Sequence, residues 1–589
     1  MPKECGWGCC RRLSRACVLV CLILVWGEST ATAAIQFPAQ PDWQGTPLGR
    51  YGTGCALRDL DGDNLPDLVV ANGNDMARQP LVVFRNLGGS FPAAPTWTSG
   101  DIDYHGHLDL ADVDGDGKLD CAVAVYIGAG GFSTPGKVKL YRGNGDGTFS
   151  ANPIWTCATP FYCFSVAFGD VDMDGRPDLA CVAGESYNYI REKYRVFRNV
   201  GGTLDTTPYW QSADIHAGTD VTWGDVNGDG ILDLAFAGAS SGNGLPAEPN
   251  EIYLGTGTTL QDTPAWRSQD GHDYANTLCF GDLNGDGWLD LAVADNNQTS
   301  VGAGNGRVKL FLNDGAGTLA TIPAWTSAFD GYGSHVSFGD ADADGDLDLA
   351  AGSWWGTVRI YENQAGVLPT IPAWESTTNS VIENIAWEDV DNDGLQSNRT
   401  ALFTGNGTRR LFTLPRRPVR VQSVEVDGVL LGPAQFYPNA EQGWLTIGPS
   451  PGSGVPVTVR YAASIALDLA VSNWDSTIGE YLFRNRLGVA EASPVEVAGD
   501  PLSLRAIPNP ARIGNMVQFS GPAATAPRAM VFSSEGRLVR VLHRAGGAPE
   551  AGFAWDGRDA GGNLAGAGIY LVRTDGSGTA RAARIVLVH

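Results

Sequence analysis

Along most of the chain, short apolar runs of four to six residues alternate with tight polar segments, the spacing of brief β-strands joined by turns. The same order recurs. A Pro-x-Trp element stands at Trp43, Trp97, Trp155, Trp210, Trp266, Trp325 and Trp374, and 15 or 16 residues later an acidic loop opens at Asp59, Asp112, Asp170, Asp225, Asp282, Asp340 and Asp389. After each loop comes an apolar strand such as Leu291-Ala-Val, then a variable stretch, then a strand of the type Val83-Phe-Arg-Asn or Leu310-Phe-Leu-Asn. Loop to loop, the period is 49 to 58 residues. Four short strands in a unit of that length predict a propeller blade, and seven units predict an all-β, seven-bladed β-propeller over residues 34–486. A solenoid of stacked coils fits less well, because its repeats are shorter and its ends need caps. No eighth Pro-x-Trp follows Asn485, so the strand at Trp43 is expected to complete the last blade and leave no free sheet edge.

The seventh unit is interrupted. Its loop opens with Asp389-Val-Asp-Asn-Asp-Gly394, but the expected strand appears only at Leu467–Val471, so residues 396–464 read as a small β module inserted within the blade. The insert carries seven Arg against three acidic residues, opposite in sign to the rest of the chain.

Six loops share the spacing Asp-x-Asp/Asn-x-Asp-Gly/Asn-x-x-Asp. The candidate metal ligands are Asp59, Asp61, Asp63 and Asp67; Asp112, Asp114, Asp116 and Asp120; Asp170, Asp172, Asp174 and Asp178; Asp225, Asn227, Asp229 and Asp233; Asp282, Asn284, Asp286 and Asp290; Asp340, Asp342, Asp344 and Asp348; and Asp389, Asp391 and Asp393. In the seventh loop the ninth-position ligand is either lost or supplied by Asp468 across the insert. Oxygen-only ligands at alternate positions suit calcium, up to six or seven ions; zinc would want His or Cys. The twelfth position, Val70 in the first loop, is apolar where a helix-loop-helix calcium site needs Glu.

These loops, for example Gly224-Asp-Val-Asn-Gly-Asp-Gly followed by Leu-Asp-Leu-Ala, resemble the FG-GAP or VCBS repeats of bacterial surface proteins and integrin α-subunit propellers. The resemblance covers residues 36–486 outside the insert and implies calcium in loops on one face and ligand binding by loops on the other. The chain departs from that pattern at Asn64 in the first loop and at Glu388 before the seventh. The tail resembles a second family: Ile507-Pro-Asn-Pro510, Glu535-Gly-Arg-Leu-Val-Arg540 and Trp555-Asp-Gly-Arg-Asp-Ala-Gly-Gly562 are similar to the Ig-like domain of the flagellar hook-capping protein. That implies a β-sandwich over 502–589, used for sorting or attachment, behind a linker at 487–501.

Composition adds the compartment. Lys3, Arg11, Arg12 and Arg15, an apolar run from Ala16 to Trp26, and Ala31-Thr32-Ala33 form a signal-peptide layout over residues 1–33, so a secreted or cell-surface protein with no later membrane span is expected. The formal charge is -25, which excludes nucleic acid as a favoured partner. Five of the 11 Cys lie in the leader; Cys157 and Cys163, six apart, are close enough in sequence for a disulfide, and the others sit in apolar strand contexts.

Ligand candidates come from variation among the repeats. Aligned on the ninth-position Asp, Tyr126, Trp354 and Trp474 fall at one point in three blades, and His105, His216, His272 and His335 lie in loops between a Pro-x-Trp strand and the next acidic loop. Aromatic faces beside carboxylates suit a glycan, and a protein ligand is the other expectation. Neither Gly-x-Ser-x-Gly nor His-Glu-x-x-His is present, so binding rather than catalysis is expected. A calcium-dependent polysaccharide lyase and a purely structural surface protein are the alternatives.

Overall fold

The computed structural model describes residues 35–239, 248–270, 274–296, 306–329, 331–415 and 417–487, and then shorter stretches between 505 and 588. The leader at 1–33, His272 and the linker at 488–501 lie outside the described residues. The chain divides into two compact units, residues 1–489 and 490–589.

The first unit is all-β, with a single turn of 3₁₀ helix at Pro433–Gln435. Its repeated element is an antiparallel four-stranded sheet whose strands pair in chain order. Sheet 1 runs Gly52–Arg58, Asp67–Asn72, Val82–Phe84, Trp97–Thr98. The first strands of the next five sheets are Tyr104–Ala111, Val166–Gly169, Gly218–Gly224, Ala275–Gly281 and Tyr332–Gly339. Sheet 7 joins Ile382–Glu388 to Asp468–Asn473 across the insert, and Trp43–Gln44 supplies its outermost strand by pairing Trp43 with Leu482. The first strands touch one another in cyclic order, and Ile382–Glu388 returns to Gly52–Arg58. This is a propeller-like repeat fold. Second strands such as Asp67–Asn72 are buried at every position because sheets pack on both their faces, which is why they read as unbroken apolar runs.

Two repeated side chains weld neighbouring sheets. Each Pro-x-Trp indole meets an aromatic ring of the following sheet edge-on: Trp210 on Tyr253 at 5.2 Å and 75°, Trp325 on Tyr361 at 5.2 Å and 79°, Trp374 on Phe483 at 5.2 Å and 80°, Trp43 on Phe84 at 5.3 Å and 77°. The Asn that ends the third strand donates to the acidic loop of the preceding sheet, as Asn363 Nδ2 does to Leu283 O (2.7 Å), and Asn86 Nδ2 to Val390 O (2.8 Å) spans sheets 1 and 7. The indole recurs at all seven interfaces and the asparagine at five, Gly143 and Gly255 standing at its place in sheets 2 and 4.

Residues 395–464 fold into a four-stranded and a three-stranded sheet. Their ends meet where Ile465 N donates to Gly394 O (3.2 Å). The insert reaches the loop-side ends of first strands around the circuit: Tyr437 Oη donates to Phe168 O (3.1 Å), Gln442 to Thr222 Oγ1 (2.7 Å), Arg417 to Phe280 O (2.8 Å), and Arg420 to Glu388 (2.9 Å). Its basic excess answers the acidic loops there.

The second unit contains a three-stranded sheet and a five-stranded sheet in which Ala511–Arg512 runs parallel to Ala582–Val588. Trp555 is fully buried and packs on Tyr570 at 5.1 Å. All six described cysteines are free; Cys157 and Cys163 bond separately to the carbonyls of Thr159 and Ser165 (3.3 and 3.4 Å) instead of to each other. Among the described residues no helix is long and apolar enough to cross a membrane.

Candidate metal loops and a candidate binding pocket

Six of the acidic loops join the first strand of a sheet to the second and the seventh leads into the insert; in the first to fifth and the seventh the turn is wound around the loop's own first aspartate. In the fourth loop Asp225 Oδ1 accepts from Asp229 N (3.0 Å), Asp225 Oδ2 from Gly230 N (2.9 Å), and Asn227 Oδ1 from Asp229 N (3.0 Å). This local closure points the first, third and fifth side chains inward. Asp59, Asp61 and Asp63; Asp112, Asp114 and Asp116; Asp340, Asp342 and Asp344; and Asp389, Asp391 and Asp393 each bring three carboxylate oxygens within 4.8 Å of one another, and in the third loop the trio is Asp170, Asp172 and Asp178. The fourth and fifth loops carry Asn227 and Asn284 at the third position, an amide oxygen in the same slot.

Such convergence fits a hard cation. Asp172 Oδ1 and Asp342 Oδ2 are buried without a hydrogen-bond partner. Burial and the neighbouring carboxylates push Asp342 up to about 6 and Asp348 up to about 8. Arginines at the ends of third strands lean on four of the loops: Arg142 on Asp114 (2.6 Å), Arg198 on Asp172 (3.5 Å), Arg484 on Asp391 (3.4 Å), and Arg85 on Asp61.

The ninth position works differently. Both oxygens of that aspartate accept backbone N–H groups, one from the loop's second residue and one from the end of the third strand: Val226 and Gly255 for Asp233 (2.9 and 2.8 Å), Ala341 and Asn363 for Asp348 (2.7 and 2.7 Å). Asp468 fills this place in the interrupted repeat, accepting from Val390 N (2.9 Å) and Asn485 N (2.8 Å). The ninth carboxylate is therefore a clamp between loop and sheet, a role that the spacing alone does not distinguish from ligation.

At the other end of the same strands lies a small cavity of about 20 Å³, partly open to solvent. Its walls include Asn74, Asp75, Tyr126, Phe164, Ser186, Tyr187, Thr219, Tyr274, Asn276, Trp354, Glu383 and Trp474. Tyr126, Trp354 and Trp474 thus come together from sheets 2, 6 and 7. Their faces, however, are not a flat platform. Trp354 is 5% exposed and meets Trp474 edge-on at 5.6 Å and 87°, and both indole N–H groups donate to Glu383 Oε2, at 2.5 and 3.1 Å. The open ring is Trp355, 55% exposed, which packs on Tyr332, Trp354 and Trp474 at 5.4, 6.1 and 6.2 Å.

The described histidines His105, His216 and His335 do not line this cavity. His105 is fully buried between sheets with Nδ1 against Asn72 O (3.0 Å), and burial holds it down at about 4. His216 stacks on Tyr194 at 4.6 Å beside Glu251 (3.3 Å). His335 sits deeper along the first strands, against Asn384 (3.1 Å), and is lowered to about 3 by burial, with His107 adding to the shift.

What positions the pocket residues is a bulge. In five sheets the pairing of first and second strands slips by one residue near the pocket end, leaving Thr53, Thr219, Asn276, Ser334 and Glu383 unpaired. All five are buried. Each stands six residues before its acidic loop, where the other two sheets have Gly106 and Phe164. Aligning the repeats on the first loop aspartate picks out this set, whereas aligning on the ninth loses Glu383, because the insert separates Asp389 from Asp468.

Among known families, an FG-GAP-like repeat matches residues 59–123, 125–181, 295–351 and 340–396, and an FG-GAP repeat matches 274–311. FG-GAP repeats are thus found in the chain. No curated protein matches it. Among solved structures it is similar to the crystal structure of BBS1N in complex with ARL6DN, soaked with mercury (12% identity, TM-score 0.37, covering 71% of this chain and 96% of that one). It is also similar to a fungal alcohol oxidase of the AA5 family in complex with copper (10% identity, TM-score 0.39, covering 94% and 100%). Neither likeness carries functional weight.

Proposed function

We propose that the protein is a secreted or cell-surface calcium-binding module: a seven-bladed FG-GAP-type β-propeller that binds a glycan through the pocket opposite its metal loops. On this reading residues 1–33 are a cleaved signal peptide, and residues 502–589 form an Ig-like sandwich serving sorting or attachment. Calcium sits in the acidic loops, held by the first, third and fifth side chains, while the ninth aspartate fastens the loop to its blade.

The observation that carries the reading is a division of labour within the repeat. Residues serving structure recur in most sheets, as the Pro-x-Trp indoles and the loop aspartates do, whereas the positions facing the pocket differ from sheet to sheet: Thr219, Asn276 and Glu383 from the bulge, Tyr126, Trp354 and Trp474 from strand ends. Specificity has to come from what varies among otherwise equal repeats. Repetition of the carboxylates favours metal over a catalytic acid/base pair.

A glycan array probed with the full chain in calcium, and again in chelator, tests this. Discrete hits that disappear in Trp354→Ala/Trp474→Ala at a retained fold are expected. An array with no hits, or hits indifferent to the double variant, would refute the glycan assignment.

A further inference from the structure

Three of the five bulged side chains share a task that neither Glu383 nor Ser334, whose buried hydroxyl makes no hydrogen bond, performs. Thr53 Oγ1 donates to His105 O (2.8 Å), Thr219 Oγ1 to Ala275 O (2.5 Å) and Asn276 Nδ2 to Ser334 O (2.7 Å), each tying its sheet to the backbone of the next. An ionised carboxylate donates nothing, so at the same position Glu383 cannot make this link. It is wholly buried all the same. Its Oε2 takes two indole N–H groups, while Oε1 has the Asn276 amide nearby but makes no well-formed hydrogen bond. Burying a carboxylate in this way is costly unless something else compensates for it.

The surroundings indicate what compensates. The pocket wall adds a second carboxylate, Asp75, and among the described residues includes neither Lys, Arg nor His. The rest of the wall is largely aromatic, including Tyr126, Tyr187, Tyr274 and Trp474. Ring faces beside carboxylates, with no Lys, Arg or His in the described wall and His107 acting on Glu383 from outside it, attract a ligand cation through both charge and ring quadrupole. Packed on the wall residues Trp354 and Trp474, Trp355 holds its exposed indole out from a backbone with φ of 53°, a left-handed conformation disfavoured for a bulky residue. Strain of this kind persists where the local structure requires it.

We infer that the pocket takes the ammonium group of an amino sugar: the amine enters toward Glu383 and Asp75 while the sugar ring stacks on Trp355. The inference rests on the binding-module reading and narrows its ligand from glycans at large to those bearing a free amine. A lysine side chain offers the same ammonium but no ring for Trp355.

The test is titration of the calcium-loaded full chain, by calorimetry and tryptophan fluorescence, with a glucosamine tetrasaccharide, its fully N-acetylated counterpart and N-acetyl-lysine amide. Saturable binding of the glucosamine tetramer is expected, at least tenfold tighter than either competitor. Glu383→Gln keeps an oxygen for the two indoles and should weaken it tenfold or more while its melting temperature at neutral pH is retained or raised. Asp75→Asn, in a partly exposed position, should weaken it severalfold and guards against a folding defect in the first variant. Trp355→Ala should erase the preference over lysine amide. Equal binding of the free and acetylated tetramers would overturn the ammonium assignment. Lysine amide binding as tightly as the tetramer would overturn the sugar. If the tetramer does not bind while an uncharged glycan is captured on the array, this inference fails and the binding-module reading stands.

Discussion

The two ends of the same strands obey different rules. At the loop end most sheets repeat one solution: an aspartate winds the turn, alternate carboxylates converge, and the ninth carboxylate clamps loop to sheet. At the pocket end the backbone also repeats, with the same bulge in five sheets, but the side chain it presents varies, Thr in two sheets and Asn, Ser and Glu in the others. The difference shows what a repeat protein can do with one scaffold. Positions that hold neighbours together cannot vary without loosening an interface, whereas positions facing a shared cavity answer only to what the cavity holds.

The largest effect that would test this contrast lies in the structural set. Trp210, buried against Tyr253, has no pocket role, so Trp210→Ala should cost roughly 3–5 kcal/mol in denaturant unfolding. A loss under about 1 kcal/mol would mean that the welded interfaces are not what stabilises the ring.

Next is Glu383, where the pocket end is expected to oppose stability. Burial pushes its carboxyl up to about 7 from the usual 4.5, while His107, the two indoles and Asn276 act in the other direction. With the folded value raised, the group favours the folded state below about pH 4.5, and that contribution is lost as pH rises through 7. Glu383→Gln removes the dependence: the variant should match the parent near pH 4 and exceed it by on the order of 3 kcal/mol at pH 8. Parallel stability curves for the two proteins across this range would contradict the assignment.

At the loop end, calcium at ten times its dissociation constant should stabilise the protein by about 1.4 kcal/mol per occupied site. Melting with and without chelator checks this, and Asp342→Ala should remove one site's share of the calcium-dependent gain. A midpoint indifferent to millimolar calcium would show the loops to be hydrogen-bonded turns and nothing more.

The smallest effect sharpens the comparison most. Trp355→Ala at an exposed position should change unfolding free energy by less than about 1 kcal/mol while abolishing glycan capture. Equal losses in stability and binding would place Trp355 with the structural tryptophans.

Much of this was legible in the chain. The Pro-x-Trp period marks the sheets, because an edge-on ring contact is needed once per interface, and Asp468 can be matched to its loop across a long insert because the Leu467–Val471 pattern resumes there. Tyr126, Trp354 and Trp474 could be found by alignment, since equivalent positions of a repeat face the same cavity. The histidines misled because residues such as His105 and His335 are drawn into buried hydrogen bonds between sheets, which no spacing reveals.

By itself, then, the sequence determined what is periodic: the strands, the turn chemistry of the loops and the residues every interface shares, all of which depend on local spacing. Only the tertiary structure decided how Glu383 meets Trp354 and Trp474, which of the two adjacent indoles at 354 and 355 is open, and where the insert docks. Those relations depend on closing the circuit of sheets. Closure brings together residues hundreds of positions apart whose proximity is fixed by the packing of every sheet between them.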